Sequence, residues 1–352
     1  RVRQNALGPD AALCPVLRRT PRIAQQIDAT PALEARATTF FDTVPSATLW
    51  RATAYLYDKE TRSSYAIERE TPKGGRVERF VRVLREALDA RPMSRELLVR
   101  VQNAIVEPDS PRGHNSVGRT GPSFQEEVHL LPPTPEALPA LLDAWIALAN
   151  HLTRRDDNPV PPIVGAAVLS FLFVYLHPFF DGNGRTHRWL LHWALARRGF
   201  GPRGVVLPVS AAILRDADRY EAVLASRSLP MLAHVRYEFR GHELVVLDDH
   251  VGLFRHLDLT AHAEALFDWL TRTIDREMRE EVEFLERFDR AVAAMRATRE
   301  MPDRKEQLFV RYVAQNRGQL SANKRGQFAE VPDDELAAME AAVRDAFDLP
   351  HP

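Results

Sequence analysis

Apolar residues recur at intervals of three and four positions along most of this chain, the spacing that gathers them on one face of an α-helix. The pattern predicts helices over 47–70 (with a break near Lys59 left open), 77–88, 136–152, 259–297, 306–316 and 333–347. Residues 112–131 and 235–247 instead place short extended runs on either side of Gly-containing turns, as β-hairpins do. We therefore expect a mainly α fold with small β-hairpins.

The most apolar segment runs from Ile163 to Leu176 and ends at a His-Pro pair. It is shorter than the roughly 20 residues that span a bilayer, so we expect a buried core helix and no membrane partner. A second apolar run covers 189–196, and residues 177–188 between the two runs are rich in polar side chains. This polar cluster is therefore expected to lie between two buried helices.

Composition limits the classes of function. The 352 residues are 45% hydrophobic and 27% charged, as in ordinary globular proteins, and the length indicates two or three helical subdomains. A formal net charge of -1 gives no strong basic field, so we expect no nucleic-acid partner and only local anion sites. Cys14 is the only cysteine, which excludes an intrachain disulfide. With no signal-peptide pattern at the amino terminus, these features lead us to expect a cytoplasmic protein.

The polar cluster contains two groups suited to proton transfer and metal binding. His177 stands where the apolar helix meets a proline turn, and an imidazole accepts protons near neutral pH, so His177 is a candidate general base. Asp181 offers hard oxygen ligands of the kind that Mg²⁺ takes together with phosphate oxygens.

The rest of the cluster is suited to phosphate. Gly182 and Gly184 let the backbone turn its amide N–H groups toward an anion at the start of a helix near Asn183, whose side chain adds an amide donor. Arg185 and Arg188 are three positions apart, so both guanidinium groups point the same way and can fork onto terminal phosphates. Each part alone is typical of a helix end or a solvated face; their order and density indicate a nucleotide site.

Other ligand classes fit the cluster less well. His187 and His192 are five positions apart, so they do not share a helix face, and no cysteine is near, which argues against zinc. The Gly-x-Gly spacing follows no strand and precedes no Gly-Lys-Ser/Thr, so it is neither a Rossmann nor a P-loop signature.

The stretch from His177 to Arg188 resembles the Fic family motif, His-Pro-Phe-x-Asp/Glu-Gly-Asn-Gly-Arg-x-x-Arg, at every specified position. The related Doc proteins carry Ala-Asn-Lys where this chain has Gly-Asn-Gly. The resemblance implies a Fic-type helical core and transfer of AMP from ATP to a hydroxyl side chain of a protein. It implies that His177 is the base, that Asp181 holds Mg²⁺, and that the motif amides and arginines bind the phosphates.

Further resemblances lie outside the motif. The hairpin at 112–131 resembles the Fic flap, which aligns a target segment by strand addition. Residues 207–213, followed by Tyr220, resemble the segment beside the adenine, which implies that Tyr220 stacks on the base; core packing is the alternative for this ring.

Upstream, Ser64 and Glu68 resemble the family's inhibitory motif, Ser/Thr-x-x-x-Glu followed by Gly or Asn. The resemblance implies that Glu68 pairs with Arg188 and so competes with the γ-phosphate of ATP. Arg69 stands where Gly or Asn is expected, which leaves the local geometry and the strength of this inhibition open.

We expect an amino-terminal helical region over 1–105, a Fic core over 106–250 and a carboxy-terminal helical domain over 251–352. The alternatives are a nucleotide-binding regulatory or DNA-associated protein, and a reversed reaction that removes AMP. Near the carboxy terminus a winged-helix DNA reader is conceivable, but the basic cluster there is short, so we expect a helical partner or packing module. The sequence leaves open the target protein, the nucleotide, the role of the carboxy-terminal helices and the oligomeric state, including a homo-oligomer.

Overall fold

The computed structural model describes residues 13–72, 75–89, 91–106, 117–120, 126–156, 158–241 and 243–350. Its elements are α1 Pro21–Thr43, α2 Ser46–Ile67, α3 Arg76–Leu88, α4 Arg95–Ile105, β1 Val117–Thr120, β2 Glu126–Leu130, α5 Leu138–Leu152, α6 Pro162–Leu176, α7 Asn183–Arg197, α8 Val209–Leu214, α9 Ala217–Leu232, β3 Tyr237–Arg240, β4 Glu243–Val246, α10 Gly252–Arg255, α11 Thr260–Arg272, α12 Met278–Thr298, α13 Asp303–Gln315, α14 Ala322–Arg325 and α15 Asp333–Phe347. A π-helical turn, Thr273–Glu277, joins α11 to α12, and a 3₁₀ turn, Gly326–Phe328, follows α14. The mainly α fold expected from the sequence is confirmed.

The chain divides into two compact units. The larger contains residues up to Thr43 and Thr53–Met278, and the smaller contains Val44–Ala52 and Arg279 onward. The boundaries expected from the sequence, 105/106 and 250/251, differ from this division. The reason at the first boundary is packing, since α3 and α4 both lie against α7 and so belong to the same core.

Helices α6 and α7 form the centre of the larger unit. Helix α6 packs against α5, α7 and α11, and all its residues from Ile163 to Leu176 are buried. Burial on every side explains why this segment is apolar without helical periodicity. None of the helices in the described part of the chain combines the length and the apolar character that crossing a membrane would need.

Local signals account for several helix ends. The Ser94 hydroxyl accepts a hydrogen bond from the Leu97 N–H at 3.2 Å and caps α4. Helix α2 is continuous through Lys59, and it ends at Ile67, where the sequence pattern had extended it to Glu70. The predicted helix over 259–297 is present with a π-helical turn inside it.

Both predicted hairpins are confirmed. Strands β1 and β2 are antiparallel, with Gly118 opposite Val128 and Thr120 opposite Glu126. Strands β3 and β4 pair without irregularity from Tyr237 opposite Val246 to Arg240 opposite Glu243. The remainder of the predicted flap, 112–116 and 121–125, lies outside the described residues.

The smaller unit is helical and has its own apolar core. Helices α13 and α15 pack together, which confirms the two helices predicted there. The most buried members of the core are Ala291, Met295, Phe309, Val310, Val313, Met339 and Val343. None of its described residues lies in a strand.

Candidate active site

His177 terminates α6 in a left-handed conformation, with φ 46° and ψ 55°. Its backbone N–H donates to the Phe173 carbonyl at 3.0 Å, and its Nδ1 lies 3.3 Å from the Val174 carbonyl oxygen. A carbonyl oxygen only accepts hydrogen bonds, so Nδ1 carries the proton and the ring lone pair is on Nε2. The helix end thus sets the tautomer that a general base needs.

The turn after His177 is held by the Asn183 side chain. Asn183 Oδ1 accepts from the Phe179 N–H at 3.0 Å, and its Nδ2 donates to the Phe179 carbonyl at 2.5 Å. Gly182 adopts φ 83°, and a Cβ there would come within 2.8 Å of Val106 Cγ1. In this conformation the Asn183 amide shapes the loop, and its predicted contact with phosphate stays a prediction.

Gly184 lies in the first turn of α7, directly beneath the carboxylate of Glu68. A Cβ on Gly184 would overlap Glu68 Oε1, and it would stand 3.0 Å from Glu68 Cδ. Glu68 therefore fills the space that this glycine leaves open at the positive end of α7, a position that suits an anion.

Arg188 is completely buried and is held by the predicted inhibitory pair. Its Nε donates to Ser64 Oγ at 2.8 Å, and its Nη2 donates to the Ser64 carbonyl at 2.6 Å and to Glu68 Oε1 at 2.8 Å. Burial is the largest single influence and works against the charged form, but Glu68, Tyr220 and Glu60 together outweigh it and raise the pKa of Arg188. The structure thus brings Arg188 together with Ser64 and Glu68, which precede it by 124 and 120 positions in the sequence.

Arg185, the other motif arginine, is only 1% exposed. Its Nη1 donates to Glu70 Oε2 at 3.1 Å, its Nη2 donates to Asp181 Oδ1 at 2.9 Å, and its guanidinium carbon lies 5.0 Å from the centre of the Tyr65 ring. Both motif arginines are therefore paired with carboxylates from the segment that follows α2.

A pocket of about 610 Å³ opens beside these residues. It is lined by the ends of α2 and α6, the start of α7, helix α9 and strand β2, and its lining includes Glu68, His129, His177 and Gly184. Its size suits a nucleotide.

Tyr220 reaches this pocket but is 5% exposed. Its ring packs against His187, Phe171 and Trp269 at centroid distances of 6.1, 6.5 and 5.9 Å. Burial raises the pKa of Tyr220 to about 12, although Arg188 acts to lower it. This arrangement favours the core-packing alternative for the ring.

Comparison with known proteins finds a family match over part of the chain. Residues 92–195 match the model of the Fic/DOC family. The chain contains a Fic/DOC family domain. Its helical core and its complete motif at 177–188 agree with that match.

Named relatives match the Fic domain over short stretches. Protein adenylyltransferase Fic of Nematostella vectensis is 37% identical over 91 residues, which are 26% of this chain and 18% of that protein. Protein adenylyltransferase fic-1 of Caenorhabditis elegans is 33% identical over 110 residues, 31% of this chain and 20% of that protein. The chain thus matches about a fifth of the length of these relatives.

Solved structures support the fold. A Fic family protein from Desulfovibrio desulfuricans G20 superposes with a TM-score of 0.52 at 18% identity, covering 96% of this chain and 87% of that one. A Fic domain containing signaling protein from Bacteroides thetaiotaomicron VPI-5482 gives 0.51 at 17% identity, covering 73% and 96%.

The Fic domain offers one carboxylate for a metal. The hydrogen bonds described for Asp181 go to its Oδ1, from Gly182 N at 2.6 Å and from Arg185, and its side chain is 42% exposed. Within the described ranges, no three His, Cys, Asp or Glu side chains come together as a protein-only metal site would need. Asp181 therefore fits Mg²⁺ only in the mode where substrate phosphates and water supply the other ligands.

Glu70 is a site residue that sequence reasoning missed, and it lies before the residues that match the family model. On a continued helix, Glu70 would lie away from the face that carries Ser64 and Glu68. Helix α2 instead ends at Ile67, and Arg69 takes φ 58°, which turns Glu70 back toward α7. The available signal was a second carboxylate two positions after Glu68, directly after the position where the family pattern expects Gly or Asn.

Proposed function

We propose that this chain transfers AMP from ATP to a hydroxyl side chain of a target protein, and that Glu68 holds it in a self-inhibited state. The observation that carries the proposal is that His177, Gly184 and Glu68 line one pocket at the start of α7, with Glu68 paired to the buried Arg188. The names of the relatives that match the Fic domain support the direction of transfer.

The proposed reaction exchanges one phosphorus–oxygen bond for another. The target hydroxyl oxygen attacks the α-phosphorus of ATP, the bond to the α,β-bridging oxygen breaks, and pyrophosphate leaves. His177 Nε2 takes the proton of the hydroxyl, since Nδ1 is committed to the Val174 carbonyl. The amides at the start of α7 stabilise the charge that develops on the α-phosphate oxygens.

The arginines would hold the rest of the nucleotide, with Arg185 on the β-phosphate and Arg188 on the γ-phosphate. Asp181 would hold Mg²⁺, which offsets the charge of the phosphates when bound. The flap, β1 and β2, would align the target segment by strand addition.

Inhibition follows from competition for Arg188 and for the space above Gly184. A phosphate cannot approach the first turn of α7 while the Glu68 carboxylate fills it, and two anions placed there repel each other. ATP therefore binds productively only after Glu68 leaves this space. While Glu68 stays, any bound ATP must take an unproductive pose.

The test is intact mass after incubation with ATP and Mg²⁺, with UTP and GTP in parallel. We expect the Glu68→Gly protein to become modified with AMP at least about ten-fold faster than the unchanged protein. A roughly ten-fold effect is an ordinary size for the coupling between an inhibitory contact and substrate binding. Asp58→Asn is the matched control, because Asp58 lies on the same helix but pairs with Arg62 in solvent. His177→Ala combined with Glu68→Gly should gain nothing; an active double variant would overturn the mechanism.

The reverse reaction is the second candidate, because Glu68 and His177 line the same pocket and a carboxylate there could orient a water molecule. Incubating an AMP-modified target with the unchanged protein and with Glu68→Gly separates the directions. Release of AMP that depends on Glu68 would favour removal over transfer.

A further inference from the structure

Three consecutive residues, 68–70, form a charged turn at the end of α2; we refer to them as the acidic turn. The N–H groups of Glu68 and Glu70 both donate to the Tyr65 carbonyl, at 3.0 and 3.1 Å, and Arg69 between them takes a left-handed conformation. This helix-ending geometry directs both carboxylates toward the first turns of α7.

Arg185 is enclosed by contacts on three sides. Glu70 and Asp181 each accept one of its N–H groups, and the Tyr65 ring lies against its guanidinium group. Because the side chain is 1% exposed, a phosphate oxygen can bind it only after one of these partners yields. Asp181 belongs to the motif itself, so Glu70 is the carboxylate whose departure would free a donor.

Glu70 has a second cationic partner, Arg76. Arg76 Nη2 donates to the same Glu70 Oε2 at 3.2 Å, and the Arg76 guanidinium carbon lies 4.9 Å from the centre of the Tyr65 ring. Glu70 can therefore give up Arg185 and keep a cation beside it. Departure from Arg185 then avoids the cost of an unpaired carboxylate.

We propose that Glu70 is a second inhibitory residue, which withholds Arg185 from the β-phosphate while Glu68 withholds Arg188 from the γ-phosphate. The inference rests on the proposed function in one respect, since it takes Arg185 as a phosphate ligand. Its consequence is that removal of Glu68 alone releases one of two arginines, so nucleotide affinity stays below its full value until Glu70 also moves.

The test compares nucleotides that differ by the β-phosphate. Binding of ADP and AMP is measured by calorimetry for the unchanged protein and for Glu70→Gln, which keeps the side-chain length and removes the charge. Loss of a competing carboxylate near Arg185 should favour ADP more than AMP, and we expect the ratio of the two affinities to rise about five-fold, roughly seven-tenths of the free energy of a tenfold step. Asp58→Asn, which removes a solvent-facing carboxylate on α2, should leave the ratio unchanged.

Two results would overturn the inference. An equal gain for ADP and AMP would mean that the change merely loosens the acidic turn. An unchanged or lowered ratio would mean that Glu70 is indifferent to Arg185 or orients it for binding. If Glu70→Gln does not fold, Glu70→Asp serves instead, because it keeps the charge and shortens the reach; a smaller rise in the ratio is expected, and no rise contradicts the proposal.

Transfer assays separate this inference from the proposed function. With Glu68→Gly active, adding Glu70→Gln should lower the KM for ATP about five-fold while kcat changes little. If Glu68→Gly transfers no AMP, the proposed function fails, yet the ADP to AMP ratio still decides the role of Glu70. If Glu68→Gly is active and the ratio does not move, the inference about Glu70 fails alone.

Discussion

At the scale of single residues, Gly184 and Glu68 share one small volume. The carboxylate of Glu68 occupies the space that a side chain on residue 184 would take, and from there it reaches Arg188. This contact couples the stability of the acidic turn to the identity of residue 184.

Changing Gly184 to Ala tests that coupling. In the unchanged protein the new methyl group must displace Glu68 and weaken its bond to Arg188, so we expect the free energy of unfolding to fall by about 1 kcal/mol. In a Glu68→Gly background the methyl group meets no carboxylate, and Ala should gain about 0.5–1 kcal/mol over Gly in a helix. Urea unfolding of the four proteins checks this, and additive effects would contradict the described position of Glu68.

Backbone strain at Arg69 is also a property of a single residue. Arg69 has φ 58°, at a position where the family pattern expects Gly or Asn. A left-handed conformation costs a residue with a Cβ about 1 kcal/mol. The Arg69 side chain is 78% exposed, and its nearest distance to the Glu221 carboxylate is 3.9 Å, which is long for an ion pair. This ion pair therefore contributes little to stability.

We therefore predict that Arg69→Gly raises the free energy of unfolding by about 0.5–1 kcal/mol and lowers basal AMP transfer, since the acidic turn becomes less strained. Arg69→Ala removes the same side chain and keeps the strain, so it should not stabilise the protein. Thermal unfolding and label transfer from ATP measure the two effects, and equal stabilities of the two variants would contradict the strain argument.

At the scale of elements, α2 is fixed in the larger unit by a buried carboxylate two turns before Glu68. Glu60 is fully buried; its Oε1 lies 2.8 Å from His192 Nε2 and accepts from Ser210 Oγ at 2.5 Å, and its Oε2 accepts from the Ser210 N–H at 2.8 Å. These bonds tie α2 to α7 and α8, so they set where Ser64 and Glu68 meet Arg188.

Glu60→Gln should lower the free energy of unfolding by about 2–3 kcal/mol, because the amide has one acceptor oxygen and leaves buried donors without partners. It should also raise nucleotide affinity by loosening α2 on α7. Asp58→Asn, on the solvent side of the same helix, should change stability by less than about 0.5 kcal/mol. Equal losses in the two variants, measured in urea, would show that Glu60 does not anchor α2.

At the scale of the whole molecule, the core beneath the site contains two neutral histidines. Burial lowers the pKa of His187 to about 3 and that of His262 to about 3. In the unfolded chain both titrate near pH 6.5, so the unfolded state binds more protons below that pH. Their contribution to stability is complete above about pH 6.5 and is lost progressively as pH falls toward 3.

We predict that the free energy of unfolding falls by about 1.4 kcal/mol per pH unit for each of these histidines between roughly pH 6 and 4. His187→Phe keeps an aromatic ring beside Phe171 and should remove one histidine's share of the slope. His234→Phe, at an exposed position, should leave the slope unchanged. Tryptophan fluorescence in urea follows the transition, since Trp145, Trp189, Trp193 and Trp269 are all buried in the larger unit.

The sequence by itself determined the local features. The motif from His177 to Arg188, the buried helix before it and both hairpins follow from short-range patterns, because turns, helix starts and burial on one face depend on neighbouring residues. For the same reason the candidate base and the phosphate-binding turn could be named without a structure.

Only the tertiary structure decided which partners the motif side chains have. Glu70 meets Arg185 across 115 positions, Asn183 turns to the backbone of Phe179, and Tyr220 packs into the core. Such contacts depend on where α2, α7 and α9 pack and on a left-handed residue that ends α2, and no periodicity in the sequence encodes that placement. The resemblance predicted the Glu68–Arg188 pair, but only the packing revealed that the other motif arginine, Arg185, is also held by a carboxylate.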